Sequence, residues 1–310
     1  MKGIVIKTTG AINRVLLDNG EEKDCVIRGK LRLKGFKSTN PTAVGDEVEL
    51  MQKGDEWVIQ RILDRHNCIV RKSVNLSKQH HVIAANIDYA ALIISIKEPE
   101  TTFSFVDRFL LSAEAFGVPV ILIINKIDLV ESDAEINHWK EIYHSLVKQI
   151  LLISVEKNIG INEVKDVFKN KTVLLSGHSG VGKSSLVNLL NPNSDLRTAP
   201  VSEVHSQGMH TTTHAEMVIT PDKARLIDTP GIKGFGITKI EKDEVPLYFV
   251  DFMRLADHCH FHNCKHISEP KCAVKEALEE GEIAPSRYLS YLDIVDSYDE
   301  ENFRQNIYSS

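Results

Sequence analysis

The run Gly177-His178-Ser179-Gly180-Val181-Gly182-Lys183-Ser184-Ser185 has the residue types and spacing to hold phosphates. It fits the pattern G-x-x-x-x-G-K-[ST]. Glycines let successive backbone N–H groups turn inward around phosphate oxygens, and a helix starting at Lys183 adds partial positive charge at the same place. Lys183 then reaches the β- and γ-phosphates, and the Ser184 hydroxyl ligates Mg²⁺. A glycine-rich turn with a surface lysine is the plain alternative. Phosphates do not select a base, but Asn125-Lys126-Ile127-Asp128 fits N-K-x-D, a pattern that reads guanine. The Asp128 carboxylate can accept from both N1–H and the exocyclic amine, a donor pair adenine lacks. The Asn125 amide can meet the base edge, and the Lys126 stem can lie along the ring. Taken alone, the same four residues also fit a helix N-cap. Ser154-Val155-Glu156 fits a guanine-closing loop, with Ser154 the one match to its Ser-Ala-Lys consensus.

Asp228-Thr229-Pro230-Gly231 matches D-x-x-G, in which the Asp holds Mg²⁺ through water and the Gly N–H senses the γ-phosphate. Upstream, Gly208-Met209-His210-Thr211-Thr212-Thr213-His214 offers three hydroxyls in a polar loop. One of them, Thr212 for preference, is the expected switch threonine that closes on Mg²⁺. A β-edge explains a threonine run equally well in isolation. Near the C-terminus, Cys259, Cys264, His266 and Cys272 form Cys-x4-Cys-x-His-x5-Cys. Three thiolates and one imidazole make a closed tetrahedral Zn²⁺ set, structural because no position is left for water. The alternative is a metal-free helical hairpin. His258, His260 and His262 lie close enough to exchange as ligands, but are expected to be exposed or to face RNA.

These residues need elements to position them. Residues 1 to about 64 contain the β-rich runs GIVIK, NRVLLD, DCVIRG, DEVELM and WVIQRI, separated by turn signals. Five short strands predict a small closed barrel, with the OB-fold leading; an SH3-like barrel fits the same pattern. In the middle, apolar runs at 90–96, 120–124, 150–153, 172–175 and 224–227 alternate with helix-like stretches at 104–116, 134–148, 161–168 and 183–190. Continuous apolar strands predict a parallel sheet covered on both faces, an α/β architecture. After Gly236 the chain becomes helical, with helices expected at 274–282 and 286–298 and a loosely ordered tail from Asp299. The reading is therefore multidomain: an OB-fold barrel over 1–66, an α/β P-loop GTPase domain over 67–236, and a helical zinc-binding domain over 237–310.

Composition sets the outer limits. The chain has 310 residues, a formal net charge of −6 and 42% hydrophobic residues, ordinary for a soluble globular protein. No apolar run approaches the ~20 residues that span a bilayer. The N-terminal residues do not resemble a signal peptide, so a cytoplasmic location is expected, and clustered cysteines point to metal before disulfides. Net charge alone discourages a nucleic-acid partner. It is not evenly spread, however: residues 1–64 carry 11 basic and 10 acidic side chains, whereas 237–310 carry 8 and 15. RNA contact then depends on local patches such as Lys30-Leu31-Arg32-Leu33-Lys34-Gly35-Phe36-Lys37, which joins cations for phosphates to an aromatic for stacking. A solvated hairpin face is the alternative for that stretch.

Motif order is itself informative. N-K-x-D at 125–128 and its closing loop precede the phosphate loop, the threonines and D-x-x-G, whereas in ordinary GTPases the phosphate loop comes first, then the switches, then N-K-x-D, so the nucleotide domain is circularly permuted. Together with Gly-x-His-Thr-Thr-Thr, Asp-Thr-Pro-Gly and the Cys/His cluster, this order resembles the RsgA family, also called YjeQ or YloQ, over nearly the whole chain. The resemblance implies a bacterial GTPase acting in late maturation of the small (30S) ribosomal subunit. It would bind rRNA near the decoding centre, with GTP hydrolysis stimulated by the subunit and coupled to release. The expected cofactors are one structural Zn²⁺ and Mg²⁺ with GTP; a monomer without membrane contact is expected. Where many GTPases carry a Gln after D-x-x-G, this chain has Ile232, which cannot orient water. His210 is the candidate for that task. The competing readings are a switch-loop packing role for His210, water positioning left to the ribosome, an RNA-binding module that uses GTP only as a conformational ligand, and an ATPase.

Overall fold

A computed structural model describes residues 1–9, 12–27, 41–72, 80–192, 215–228 and 240–307. The basic stretch at Lys30–Lys37, the run Thr211–Thr213 with His210, and residues 229–239 including Gly231 lie outside the described residues.

Five strands open the chain: β1 Lys2–Thr8, β2 Ile12–Leu17, β3 Glu22–Ile27, β4 Glu47–Lys53 and β5 Glu56–Ile62. They pair in the order β1-β2-β3-β5-β4, and β4 returns to β1, closing a barrel. The β3–β5 pair is parallel and the others antiparallel. This closure is that of the OB-fold and decides against the SH3-like alternative. Period-2 alternation turns Val5, Val15, Leu17, Cys25, Val48, Leu50, Ile59 and Ile62 into one core.

A hairpin that the sequence pattern does not announce follows, β6 Cys68–Lys72 with β7 His80–Ala85. It clamps the barrel to what comes next. Ala84 bridges Val44, Ala85 N–H donates to Val44 O at 2.9 Å, and Asn86 Nδ2 donates to Gly45 O at 3.0 Å. Gly45 sits at φ +91°, where a Cβ would lie 2.1 Å from Ala85 O, so the crossing requires glycine. Arg65 locks the same corner, with Nε to Asp46 Oδ1 at 2.6 Å and Nη2 to Asp46 Oδ2 at 2.7 Å, both side chains buried.

The α/β portion contains β8 Tyr89–Ser95, β9 Val120–Asn125, β10 Gln149–Leu152, β11 Thr172–Ser176, β12 Glu216–Ile219 and β13 Arg225–Asp228. Their order is β10-β9-β8-β11-β13-β12, parallel except for β12. Four helices cover the sheet: α1 Phe103–Ala115, α2 Asp133–Tyr143, α3 Ile161–Phe168 and α4 Lys183–Leu190. Leu92, Ile94, Leu122 and Ile124 meet α1 and α2 on one face. Ala91, Ile93, Ile121, Ile123, Val173 and Leu175 meet α3 and α4 on the other. Burial on both faces is why these strands are continuously apolar. The expected helix to Lys148 instead ends at Tyr143, because the chain must turn there for Lys148 N–H to reach Val120 O and begin β10. At the far edge, β12 pairs with β1 through Lys7 and Glu216, whose side chains meet at 3.0 Å.

Helices form the last lobe: α5 Val250–Ala256, α6 Ala273–Glu279 and α7 Pro285–Ile307. Pro285 occupies the first helical position, where its missing N–H costs nothing. The helix α7 runs on to Ile307, past the Tyr298 boundary that the sequence suggested. Phe249, Phe252, Val274, Ala277, Tyr291, Ile294 and Val295 pack with Leu111 of α1, so the lobe shares its core with the α/β domain. Among the described residues, no helix is long and apolar enough to cross a membrane.

Candidate nucleotide site and metal centre

The carboxyl ends of β9, β10, β11 and β13 converge on one edge of the sheet, where open α/β folds bind ligands. Register fixes their relations: Ser95 pairs with Asn125, Leu152 with Ile124, and Leu175 with Asp228. Thus N-K-x-D, the 154–156 loop, the phosphate loop and the first residue of D-x-x-G share one rim. Asp228 is placed there by its backbone, two residues from where β11 gives way to Gly177 along the pairing.

The phosphate loop carries the backbone that its motif requires. Gly182, at φ +99°, caps α4, and a Cβ there would stand 2.3 Å from Asn125 Nδ2. Gly177 passes so close to Ile93 O that a Cβ would lie at 2.2 Å. Lys183 Nζ donates to the carbonyls of Gly177 at 2.7 Å and His178 at 2.6 Å, so its ammonium lies over the loop. Ser184 and Ser185 are half-buried on the first turn of α4, Ser179 is exposed and Val181 is buried. The His178 ring stacks on Phe105 of α1 with centroids 3.6 Å apart. Burial, and then the charge of Lys183, hold its pKa below the usual imidazole range.

Asn125 has a task the sequence did not reveal. Its side chain is buried; Nδ2 donates to Val181 O at 2.7 Å, and Oδ1 accepts from Val155 N–H at 3.1 Å. One amide thereby ties the phosphate loop to the 154–156 loop. Ser154 is also buried, and its Oγ accepts from Lys157 N–H at 3.0 Å, shaping that loop. Lys126 takes a left-handed φ of +61° and its Nζ donates to Glu98 O. Asp128 lies exposed on the turn Ile127–Leu129, its carboxylate without a hydrogen bond among the described residues. An acceptor pair held on a short turn at the rim is the arrangement guanine's N1–H and amine require.

The four predicted metal ligands come together. Ligand atoms of Cys259, Cys264, His266 and Cys272 all lie within 4.8 Å of one another. His266 Nδ1 stands 3.6 Å from Cys259 Sγ and 3.3 Å from Cys272 Sγ. Tetrahedral Zn²⁺ with ordinary bond lengths has ligand–ligand edges of about 3.5–3.8 Å, so the donor set fits. His266 reaches this place through a left-handed φ of +58°, with its carbonyl accepting from Tyr288 Oη at 2.7 Å. Burial, with the nearby thiols adding, pushes Cys264 up to about 12, and burial also raises Cys272. Such crowded thiols ionise readily only when a cation compensates them. Burial holds His266 below its ordinary pKa, favouring the neutral imidazole that ligates. His258, His260 and His262 are exposed and outside the cluster.

A buried charge network joins this lobe to the nucleotide domain. Arg287 Nη1 donates to Asp107 Oδ1 at 2.7 Å, and its Nη2 and Nε bind Asp251 at 2.8 and 3.1 Å. Tyr143 Oη adds a bond to Asp107 Oδ1 at 2.9 Å. These partners sit far apart in sequence, and nothing local to any of them signals the network.

Sheet order, rim loops and metal cluster define a circularly permuted P-loop GTPase with an OB-fold in front and a helical zinc-type lobe behind. The family model described as RsgA GTPase matches residues 62–238. The Small ribosomal subunit biogenesis GTPase RsgA of Christiangramia forsetii is 48% identical, covering 99% of both chains. The protein of the same name from Bacteroides fragilis is 45% identical, covering 98% of this chain and 99% of that one. Among solved structures, YjeQ from Thermotoga maritima superposes with a TM-score of 0.78 at 34% identity, covering 96% of this chain and 97% of that one. YloQ, described as a circularly permuted GTPase, gives 0.75 at 29% identity, covering 97% and 95%. The chain belongs to the RsgA GTPase family.

Proposed function

We propose that this chain hydrolyses GTP in late maturation of the small (30S) ribosomal subunit, binding rRNA near the decoding centre. The subunit stimulates hydrolysis, and hydrolysis triggers release. The observation that carries the reading is the convergence of N-K-x-D, closing loop and phosphate loop on one rim of a permuted sheet. Relatives matching over nearly their whole length are named for small-subunit biogenesis, which supports it.

In this reading residues 1–66 form an RNA-binding barrel, 67–236 the GTPase and 237–310 the zinc domain. Asp128 reads guanine, while Asn125, Lys126 and Ser154 hold the base pocket in shape. Backbone amides of Gly177–Ser185 and the ammonium of Lys183 stabilise charge on the transferring phosphoryl group. Ser184, Thr212 and Asp228 would hold Mg²⁺ directly or through water, and Gly231 would sense the γ-phosphate. Bound there, Mg²⁺ would neutralise phosphate charge. Cys259, Cys264, His266 and Cys272 would hold one Zn²⁺, which fixes the last lobe. His210 orients the attacking water, a task that Ile232 at the usual Gln position cannot perform: His210→Ala abolishes subunit-stimulated turnover and leaves GTP affinity intact, and near-normal stimulated turnover would remove His210 from the mechanism. Lys30–Lys37 supply phosphate contacts, so Lys34→Glu with Lys37→Glu weakens subunit binding and flattens its salt dependence. The protein acts as a cytoplasmic monomer.

Co-sedimentation with small subunits tests the reading. A non-hydrolysable GTP analogue should retain the protein on the subunit and GDP should release it. Equal binding in both states would overturn the release step.

A further inference from the structure

We propose that Phe105 and His178 are a positioning pair that holds the front half of the phosphate loop in its phosphate-binding shape. The proposal rests on the reading of 177–185 as that loop. The rear half has a visible tether, since Asn125 Nδ2 holds the carbonyl of Val181. The front half has two. One is Lys183, whose ammonium bonds the carbonyls of Gly177 and His178. That tether is diverted when phosphates compete for the same ammonium. The other is the His178 ring against Phe105, at 3.6 Å between centroids and a 30° tilt. Aromatic contact is indifferent to phosphate charge and persists when Lys183 turns. The loop needs it: Gly177 and Gly180 flank this stretch at φ +145° and +84°, and Ser179 is exposed. Backbone with so little side-chain contact is otherwise free to collapse out of the cradle.

Phe105 is suited to serve as a fixed platform. Its own N–H is capped by Thr102 Oγ1 at 3.3 Å, on the first turn of α1. Around it, α1 is fastened to the last lobe: Ser104 Oγ donates to Asp293 at 3.0 Å, Asp107 accepts from Arg287, and Arg108 bonds Asp293 at 2.9 Å. The helix that carries the ring is thus fastened to α7, although the ring lies at the nucleotide rim. Neither residue touches the reacting atoms; both act through the backbone of the loop.

The test compares Phe105→Ala, His178→Ala, the double variant and Phe105→Tyr in the full-length, zinc-loaded chain. Affinity for fluorescent GDP and GTP analogues is measured first, then KM and kcat for subunit-stimulated hydrolysis. Each single alanine variant should lose about two- to tenfold in affinity for both nucleotides, the range of one aromatic pair. The double variant should lose no more than either single one. KM should rise while kcat at saturating GTP stays near the parent value, and Phe105→Tyr should restore affinity. Additive losses, or a Phe105→Ala variant that binds as the parent does, would overturn the pair. His178→Ala lies in a loop and keeps the test decisive if Phe105→Ala misfolds. A parent chain that binds no guanine nucleotide would instead refute the phosphate-loop reading itself.

Discussion

Replacing Arg287 with Met should detach the last lobe from the nucleotide domain at a large free-energy cost. Arg287 and Asp107 keep 4% and 0% of their side-chain surface exposed, so neither charge has water to fall back on. Arg287 also grips Asp251 and lies over the Phe249 ring at 4.5 Å. Met fills much of the volume but leaves Asp107 with only the neutral hydroxyls of Tyr143 and Ser290 as partners. Removing one member of such a buried pair costs about 3–5 kcal/mol, against a total stability of about 5–15 kcal/mol for a typical domain. The surface pair Arg108–Asp293, with 33% and 62% exposure, supplies the contrast, since exposed pairs contribute about 0–1 kcal/mol. The sign with pH follows from burial, which already pushes the Asp107 carboxyl up against the pull of Arg287. Without Arg287 that carboxyl rises further. A carboxyl with a raised folded pKa enters the fold freely as the neutral acid and destabilises as pH climbs through that pKa. The deficit of Arg287→Met should therefore be smallest at acid pH and grow as pH rises above about 4, the range of an unfolded carboxyl, and Asp107→Asn in the same chain should recover most of it. Urea denaturation of the zinc-loaded protein, followed by circular dichroism at several pH values, measures this. A loss at pH 8 no larger than that of Arg108→Met would refute the reasoning.

Asp128→Asn should shift nucleotide preference from GTP towards XTP by exchanging an acceptor for a donor at the base; an ATP preference in the parent, read by competition, would overturn the guanine assignment. Gly182→Ala places a Cβ 2.3 Å from Asn125 Nδ2 at φ +99°, so nucleotide binding by isothermal titration should be lost. Cys272→Ser should abolish stoichiometric zinc, measured by elemental analysis, and destabilise the last lobe while 1–236 keeps its secondary structure by circular dichroism. His178 has a lowered pKa, so it favours the fold in its neutral form and its contribution is lost as pH falls below the ordinary imidazole range. Thermal melts from pH 8 to pH 5.5 should flatten in His178→Phe, which keeps a ring and cannot titrate.

The parts legible in the sequence are those where chemistry is written in contiguous residues. The five barrel strands alternate, the sheet strands are continuously apolar, and the phosphate loop, N-K-x-D and Cys/His cluster each occupy a short span. What escaped is non-local. The β6–β7 hairpin has only short apolar runs, and its reason for existing is Gly45 and Val44, some forty residues earlier. The helix α5 is too short for its periodicity to stand out. Asn125 reads as a base contact because its partners, Val155 and Val181, are backbone groups that any residue would supply. Likewise Arg287 looks like one more helix-surface arginine until α1 and α5 arrive around it.

Phosphate release from GTP by the zinc-loaded chain, with and without small ribosomal subunits, tests the central claim most directly. Slow release alone and an acceleration of at least about tenfold by the subunit are expected, in keeping with a water-positioning step completed on the partner. The same rate in both conditions would contradict a subunit-driven GTPase.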